Sequence, residues 1–288
     1  MKLSQIVIIL SASWAFSSCS SDSSASTPAP DVSQNGCVSE SDLMKPGIVG
    51  GEKVSDFDID SKKVILLFAL DDEGNTSICT STAIAPNVLL TAAHCISEKH
   101  FVVYHSSISC EGGFNIQQHA AGVHAVIKHK DWESNTKSEG NTANDVALVI
   151  LENRIPSSYR VLKIANPTAV DFNLGMIKFI GYGVIDYKSG GSGILRKTEI
   201  PVEKASADIA NNLVRIDQSN GHGVCSGDSG GPSLVKVNGQ DQILGVNSVV
   251  GGSSQASLCR DEAKQSLAYG HVSWIKAELS QFGISFNY

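Results

Sequence analysis

The amino-acid sequence predicts an all-β protein that ends in a single helix. From residue 64 onward, short apolar and β-branched runs alternate with clusters of Gly, Asn, Asp and Ser, as in strands joined by turns. The runs are 64–70, 83–84, 88–90, 101–104, 146–151, 176–180 and 242–250. Helical spacing of apolar residues occurs only near the end, at Trp274, Ile275, Ala277, Leu279 and Phe282. Regularly spaced short strands indicate a sandwich or barrels, and this pattern does not choose between them.

The composition is that of a folded protein and lacks the charge pattern of a nucleic-acid binder. The chain has 288 residues, of which 42% are hydrophobic and 18% charged, so it can bury a sizeable core. Its formal net charge is -7, and no run rich in Lys or Arg occurs. We therefore expect no nucleic-acid partner.

The N-terminal segment is predicted to be a signal peptide spanning residues 1–18. Lys2 precedes an apolar stretch at 6–10 that is too short to span a bilayer as a helix. Small residues then precede Cys19, as in a bacterial lipobox, although Phe16 stands where that motif usually has Leu. The segment predicts lipidation of Cys19. The alternative is ordinary signal cleavage nearby, with Cys19 incidental.

The residues after Cys19 are predicted to form a flexible tether over 19–36. They are rich in Ser, Ala and Pro and lack large apolar side chains between 20 and 30. The chain has seven cysteines, and lipidation of one leaves an even number for disulfides in an oxidising compartment. No Cys-x-x-Cys pair occurs, so we expect no thiolate zinc site.

Three short segments carry the residue types needed for amide hydrolysis. They are Thr-Ala-Ala-His-Cys ending at Cys95, Asn-Asp-Val-Ala-Leu-Val starting at Asn144, and Gly-Asp-Ser-Gly-Gly-Pro starting at Gly227. Ser229 is the candidate nucleophile, His94 the base and Asp145 the group that orients the base. Glycines around Ser229 let the backbone approach a substrate, so the N–H groups of Gly227 and Ser229 are candidates for an oxyanion hole.

In this order, the three segments resemble the chymotrypsin–trypsin family of serine proteases. The resemblance spans residues 48–282. It implies two antiparallel six-stranded β-barrels with the site in the cleft between them, followed by a C-terminal helix. It also implies a protease domain over 48–288, with the barrels dividing near 162–167.

The resemblance assigns further roles. Ile48-Val-Gly-Gly is similar to the mature N-terminus of the family, whose amino group pairs with the Asp before the catalytic Ser, here Asp228. This implies a zymogen with a propeptide over 37–47, cleaved before Ile48, and little activity in the uncut precursor. Gly47 precedes the cleavage point in place of the Arg or Lys of trypsin-like activation. Ser248 is the counterpart of a serine that contacts the triad aspartate.

The family also implies two disulfides, Cys79–Cys95 and Cys225–Cys259. Cys37 and Cys110 have no clear family partner. We expect them to pair, because free thiols are poorly retained in an oxidising compartment, and the bridge would hold the propeptide to the first barrel. The alternative is two unrelated free thiols.

The specificity pocket is predicted to be neutral and narrow. Gly223 falls at the pocket floor, where trypsin-like enzymes carry an aspartate that binds Arg or Lys. Ser248 and Val250 are also assigned to the pocket, and Val250, two residues after Ser248, stands where the family usually has a glycine. We expect a preference for small or medium apolar side chains. The segment 267–274 aligns in two registers, so no further wall residue is assigned.

The remaining charged and histidine-rich segments do not predict a metal site. Five histidines lie between 100 and 129, and an acidic triplet lies at 71–73, but neither has metal-ligand spacing. We expect no metal and no cofactor, a monomer acting on protein or peptide substrates, and a secreted or cell-envelope location with Cys19 as the only membrane link. The alternative is a non-enzymatic surface-binding lipoprotein on a protease scaffold.

Overall fold

A computed structural model describes residues 48–70, 76–108, 115–133, 138–184, 193–253 and 257–288. Within these ranges, the chain folds into a closed β-barrel, a second antiparallel sheet and a C-terminal helix. No helix of the described residues has the length and apolar character to cross a bilayer.

The first half of the chain forms a closed six-stranded barrel in the order β2-β3-β4-β7-β6-β5. Its strands are β2 (Ile65–Leu70), β3 (Thr76–Ala85), β4 (Val88–Thr91), β5 (Lys99–Val103), β6 (Ala120–Lys128) and β7 (Ala147–Leu151). All residues of β4 and β7 are buried, as expected for short apolar strands in a barrel wall covered on both sides. The predicted runs at 88–90 and 146–151 therefore form the centre of this barrel.

The second half forms an eight-stranded sheet in the order β1-β9-β8-β12-β13-β14-β11-β10, in which each described pair is antiparallel. Its strands are β1 (Glu52–Lys53), β8 (Met176–Gly181), β9 (Arg196–Pro201), β10 (Ala205–Asp208), β11 (Leu213–Asp217), β12 (Pro232–Val237), β13 (Gln240–Gly251) and β14 (Glu262–Leu267). The two-residue strand β1 pairs with β9, so the segment after Ile48 extends the sheet of the second half.

The helices are short except for the last one. They are α1 (Ile116–His119), α2 (Glu139–Ala143) and α3 (Val272–Gln281), with 3-10 turns at Ile59–Lys62, Ala93–Cys95, Pro167–Ala169, Val202–Lys204 and Ala268–His271. Helix α3 buries Val272, Ile275 and Leu279 on one face, the stripe indicated by its apolar spacing. Those side chains join the core that fills the first barrel.

Three apolar clusters of the described residues form the core, and the largest of them also takes in Leu234 and Ile243 of the second sheet. The largest fills the barrel and extends under α3, the second lies within the second sheet and includes Ile48, and the third is a small cluster of Val49 with Cys225 and Cys259. Tyr182 is wholly buried and donates its hydroxyl to the carbonyl oxygen of His105 at 2.9 Å, which joins the halves. This architecture confirms the predicted all-β fold with one substantial helix at its end, and the second sheet includes β1 from the segment next to Ile48.

Candidate active site

His94 lies in a 3-10 turn directly after β4 of the barrel. The turn is held by the Cys79–Cys95 disulfide, whose Cα atoms are 6.1 Å apart. Its flanking residues Ala93 and Cys95 are buried, whereas 35% of the His94 side chain is exposed. The turn that carries the imidazole is thus held in place, while the side chain itself is partly exposed to solvent. Although both sulfurs lie near the ring, they are bonded to each other, so they are not available as thiolate metal ligands.

Asp145 follows α2 and is 3% exposed. Its Oδ2 lies 2.6 Å from Nδ1 of His94 and accepts the Ser248 hydroxyl at 2.5 Å, while its Oδ1 accepts the backbone N–H of His94 at 2.9 Å. Burial raises the pKa of Asp145, but the hydrogen bonds and charge of His94, together with the Ser248 hydroxyl, outweigh it and hold this pKa below its usual value. The carboxylate is therefore ionised and fixes His94 with Nδ1 protonated.

The loop that carries Asp145 is anchored from behind by His271. Nε2 of His271 lies 2.9 Å from the carbonyl oxygen of Ala143, and the Ser266 hydroxyl donates to the same oxygen at 2.5 Å. Burial lowers the pKa of His271 to about 4, so its ring is neutral. The sequence pattern did not single out His271, which precedes α3 and carries no motif.

Ser229 lies in the loop before β12, and this loop packs directly on the histidine loop. A Cβ at Gly230 would overlap the hydroxyl of Thr91 and lie 2.8 Å from the backbone nitrogen of Ala92. Because Gly230 also has φ +76°, only glycine fits there without strain. The structure thus brings Ser229 to the turn that bears His94, although the two side chains form no hydrogen bond in this state.

Thr80 on β3 fastens the serine loop to the barrel. Its backbone N–H donates to the carbonyl oxygen of Ser229 at 2.8 Å, and its hydroxyl donates to that of Gly227 at 3.1 Å. With these carbonyls turned toward Thr80, the N–H groups of Gly227 and Ser229 have no partner within the described part of the chain. Gly227 has φ +91°, and a Cβ there would lie 2.8 Å from the Cα of Gly183. Two unengaged donors beside a nucleophile form a candidate anion site.

Asp228 points away from the cleft into the protein and is wholly buried. Its carboxylate accepts the backbone N–H of Gly183 at 2.8 Å and that of Cys225 at 2.9 Å. Burial raises the pKa of Asp228 to about 7, although these N–H groups and the Arg196 guanidinium act to lower it. Ile48 is also wholly buried, within the core of the second sheet.

A buried polar network lies behind the serine loop. Asn247 donates from Nδ2 to the carbonyl oxygen of Asp228 at 2.9 Å, and its Oδ1 accepts from Gln265. Gln265 in turn accepts the hydroxyl of Ser233 at 2.6 Å. All three side chains are buried and mutually satisfied, which fixes the backbone on which Ser229 stands.

The structure gives the surroundings of two residues that the sequence analysis assigned to the specificity pocket, Gly223 and Val250. Val250 on β13 pairs with Ala263 on β14, so the residue opposite Val250 lies just before the segment 267–274. Gly223 lies beside Gln218, with which a Cβ would overlap. The buried amide of Gln218 accepts from the backbone N–H of Val224 at 2.7 Å and donates to its carbonyl oxygen at 3.1 Å.

The Cys225–Cys259 disulfide borders the same region, with its Cα atoms 5.1 Å apart. The expectations for Cys19, Cys37 and Cys110, and for the acidic triplet at 71–73, concern positions outside the described residues.

Comparisons with known proteins agree with this arrangement. The family model for trypsin matches residues 58–261. A serine protease of Anopheles gambiae is 29% identical over 206 residues, covering 69% of this chain and 70% of the relative. Chymotrypsin-like elastase family member 1 of Canis lupus familiaris is 26% identical over 211 residues, covering 68% and 79% respectively.

Among solved structures, HL collagenase superposes with a TM-score of 0.62 at 20% identity, covering 83% of this chain and 100% of that one. This likeness concerns the fold. The family match covers most of the described residues, including all three segments first noted in the sequence. The chain therefore belongs to the trypsin family of serine endopeptidases.

Proposed function

We propose that this protein hydrolyses peptide bonds through His94, Asp145 and Ser229. The observation that carries the proposal is the 2.6 Å contact between Nδ1 of His94 and the buried carboxylate of Asp145, on a side chain that is partly exposed to solvent. A histidine held in this tautomer presents an unprotonated Nε2, as a general base requires. Ser229 supplies the hydroxyl group, and its loop packs against the turn that bears His94.

The reaction follows from these positions. His94 takes the proton of Ser229 as its Oγ attacks the substrate carbonyl, and Asp145 stabilises the imidazolium that forms. The N–H groups of Gly227 and Ser229 bind the developing oxyanion. His94 then gives its proton to the leaving amine, which departs and leaves an acyl-enzyme. Water, deprotonated by His94, attacks the ester and releases the acid and the Ser229 hydroxyl.

We infer a preference for small or medium apolar side chains. Gly223 brings no carboxylate to the pocket floor, and a buried Arg or Lys without a partner would be strongly disfavoured. Val250 and Ala263 face each other across β13 and β14, which supports an apolar, narrowed entrance. Because one methylene in an apolar pocket changes discrimination by only about 1–3 kcal/mol, the preference should be broad.

We also propose that the chain is cleaved before Ile48. Ile48 has φ +51°, a conformation that a β-branched residue adopts only under strain of about 1–3 kcal/mol. Cleavage of the bond to Gly47 removes this torsional constraint. It also creates an ammonium group on a residue already buried in the same half as Asp228, and pairing of the two would stabilise the Gly227–Ser229 loop.

The processing of the N-terminal segment is proposed from the sequence. It comprises signal removal at 18, lipidation of Cys19, a tether over 19–36 and a Cys37–Cys110 bridge that keeps the anchor attached after cleavage. Detergent partitioning of wild type and Cys19→Ser tests the anchor, since several acyl chains hold stably to a membrane. Reduction of cleaved protein tests the bridge, because only then should residues 37–47 separate.

The central experiment measures hydrolysis of matched peptides ending in Ala, Val, Leu, Phe or Arg by cleaved protein. We expect turnover of the small and medium apolar series, poor turnover of Arg, and labelling of Ser229 by an organophosphonate probe. Ser229→Ala should fold with unchanged stability and lose both hydrolysis and labelling. Labelling elsewhere, or near-normal hydrolysis by Ser229→Ala, would refute the triad. Fastest turnover of the Arg peptide would refute only the pocket assignment.

A further inference from the structure

Asp228, next to Ser229, turns its side chain into the protein interior. Its two oxygens are each met by a single backbone N–H, from Gly183 and Cys225. A Cβ at Gly181 would overlap its Oδ1, so the carboxylate lies directly over the inner face of β8 at Gly181. A positively charged side chain projecting from that face would therefore point toward the carboxylate.

Arg196 projects from that face. Its Nη1 donates to the carbonyl oxygen of Ile194 at 3.2 Å. Among the described residues its guanidinium forms no direct ion pair with Asp228, so the two charges act on each other across the buried interior. Arg196 is the first residue of β9 and pairs directly with Gly181 in the antiparallel ladder. Side chains of directly opposed residues project from the same face of a sheet, with Cβ positions about 5 Å apart. The Cβ direction of Gly181 leads to Asp228, so Arg196 projects toward the same space. Arg196 is 1% exposed, which makes it the largest wholly buried side chain described.

The side chains of Arg196 and Asp228 differ from the charged side chains on the surface because neither is exposed to water. Burial lowers the pKa of Arg196 to about 10, and the charge of Asp228 acts against this shift. The guanidinium consequently keeps its charge at neutral pH. A buried cation and a buried carboxylate each disfavour the folded state when alone, and mutual attraction offsets much of that penalty.

In an uncut chain the backbone nitrogen of Ile48 is part of a peptide bond, so it offers Asp228 no ammonium group. Even so, the segment after the proposed cleavage point is already docked. Ile48 is wholly buried, and the backbone N–H of Gly223 donates to the carbonyl oxygen of Val49 at 3.1 Å. The serine loop is also fastened by Thr80, with the N–H groups of Gly227 and Ser229 unengaged.

We propose that Arg196 is the built-in counter-charge of Asp228, which orders the Gly227–Ser229 loop before any cleavage and gives the uncut chain peptidase activity. The inference rests on the proposed triad and differs from the expectation of a nearly inactive precursor. That expectation assumed that Asp228 meets a positive charge only when a new amino terminus forms. Arg196 is a positioning residue in this scheme, since it acts on the reaction through Asp228.

Cleavage before Ile48 then adds a second positive charge to the one that Arg196 already provides for Asp228. In the uncut chain Asp228 has Arg196 alone, and in the cleaved chain it has both Arg196 and the ammonium of Ile48. Loss of Arg196 should therefore matter most where no ammonium exists. This differential effect separates a positioning role from simple structural support, which would affect both forms equally.

The experiment compares uncut and cleaved forms of the same full chain. Residues 43–47 are replaced by Asp-Asp-Asp-Asp-Lys, so that enteropeptidase frees Ile48 on demand, and intact mass at the end of each assay verifies the form. Wild type, Arg196→Gln and Arg196→Lys are assayed with the best peptide substrate. Arg215→Gln is the matched control, because Arg215 pairs with Glu139 at the surface.

We expect uncut wild type to have about a tenth of the kcat of the cleaved form, and Arg196→Gln to lower the uncut kcat at least about tenfold but the cleaved kcat less than about threefold, a range typical of coupling between sites. Arg196→Lys should retain most uncut activity, and Arg215→Gln should change neither form.

An inactive uncut wild type beside an active cleaved form would overturn the inference and leave the triad intact. Equal losses in both forms of Arg196→Gln would also overturn it. If Arg196→Gln fails to fold, uncut wild type and Arg196→Lys still decide, because both must be active. Inactivity of both wild-type forms, without Ser229 labelling, would instead refute the proposed function.

Discussion

The candidate site is built on two buried aspartates whose surroundings act on them in opposite ways. Asp145, in the barrel half, accepts three hydrogen bonds from His94 and Ser248, and its pKa lies below the usual value. Asp228, in the sheet half, accepts only two backbone N–H groups, and burial raises its pKa to about 7. We call these the triad corner, around Asp145 and His94, and the oxyanion corner, around Asp228 and Gly227.

The difference follows from what each carboxylate does in the proposed mechanism. At the triad corner the charge itself is used, because it stabilises an imidazolium during turnover, so partners hold it ionised at all working pH values. At the oxyanion corner the carboxylate anchors a loop and touches no reacting atom. Its ionisation depends on the cations that reach it, which leaves this corner open to control by Arg196 and by cleavage at Ile48.

The largest effect should come from neutralising each carboxylate in the cleaved enzyme. We expect Asp145→Asn to lower kcat by about 10⁴-fold, the loss that wrong histidine tautomers cause in serine proteases. Asp228→Asn should lower kcat by about 10²–10³-fold, as when one oxyanion donor is lost. Steady-state kinetics with a single peptide substrate measure both losses in kcat. Equal losses would remove the distinction between the corners.

Stability should depend on pH with opposite sign at the two corners. The folded state of Asp228 binds a proton that the unfolded state releases between about pH 4 and pH 7, so its contribution to the free energy of unfolding falls as pH rises through this range, by about 3 kcal/mol. In uncut Ser229→Ala protein, Asp228→Asn should remove this fall. Urea unfolding at several pH values measures it.

Asp145→Asn is the control for that measurement. Because the folded pKa of Asp145 is lowered, its contribution is present above the usual carboxyl pKa and is lost as pH falls through the folded value. Asp145→Asn should therefore alter only the acid limb of the stability curve. A change between about pH 5 and pH 8 in this variant would contradict the contrast.

A smaller effect should follow from loosening the oxyanion corner at Thr80. Thr80→Val removes the hydroxyl that donates to the Gly227 carbonyl and accepts the Tyr182 N–H. We expect kcat to fall about tenfold with KM nearly unchanged, because the donors of Gly227 and Ser229 would lose their fixed direction. Thr80→Ser keeps the hydroxyl and should restore kcat. A loss expressed mainly in KM would show that Thr80 supports binding instead.

The smallest effect should come from the triad corner's outer support. His271→Leu removes one of three groups that contact the Ala143 carbonyl oxygen, and the Ser266 hydroxyl and the Asn212 amide remain. We expect a loss of about 1–2 kcal/mol in the free energy of unfolding at pH 7 and less than about threefold in kcat.

The pH dependence of that variant gives a further check. With its folded pKa lowered to about 4, His271 contributes stability that rises with pH from about 4 to about 6.5. The variant should lose this rise, which calorimetry over that range would detect. An unchanged pH profile would show that His271 is not buried in its neutral form.

The sequence by itself determined the class of fold and the chemistry. Short apolar runs predicted strands, because the pattern of buried side chains along a strand is visible within a few consecutive residues. The segments around His94, Asp145 and Ser229 predicted a serine protease, and the family match confirmed it. Each of these signals lies within a few consecutive residues, so it can be recognised before the chain folds. The division of the halves near 162–167 and the processing of 1–47 stay predictions.

Tertiary structure decided which unremarkable residues serve the site. No motif contains Thr80, Gln218, Ala263, Arg196 or His271, and strand register or burial alone places them around the candidate site. Nothing in the sequence distinguishes Arg196 from a surface arginine. In the structure its pairing with Gly181 places its side chain in the interior. The physical reason is that electrostatic and packing effects depend on distance in space and on exclusion of water, and residues far apart in the sequence acquire both only when the two halves close around the cleft.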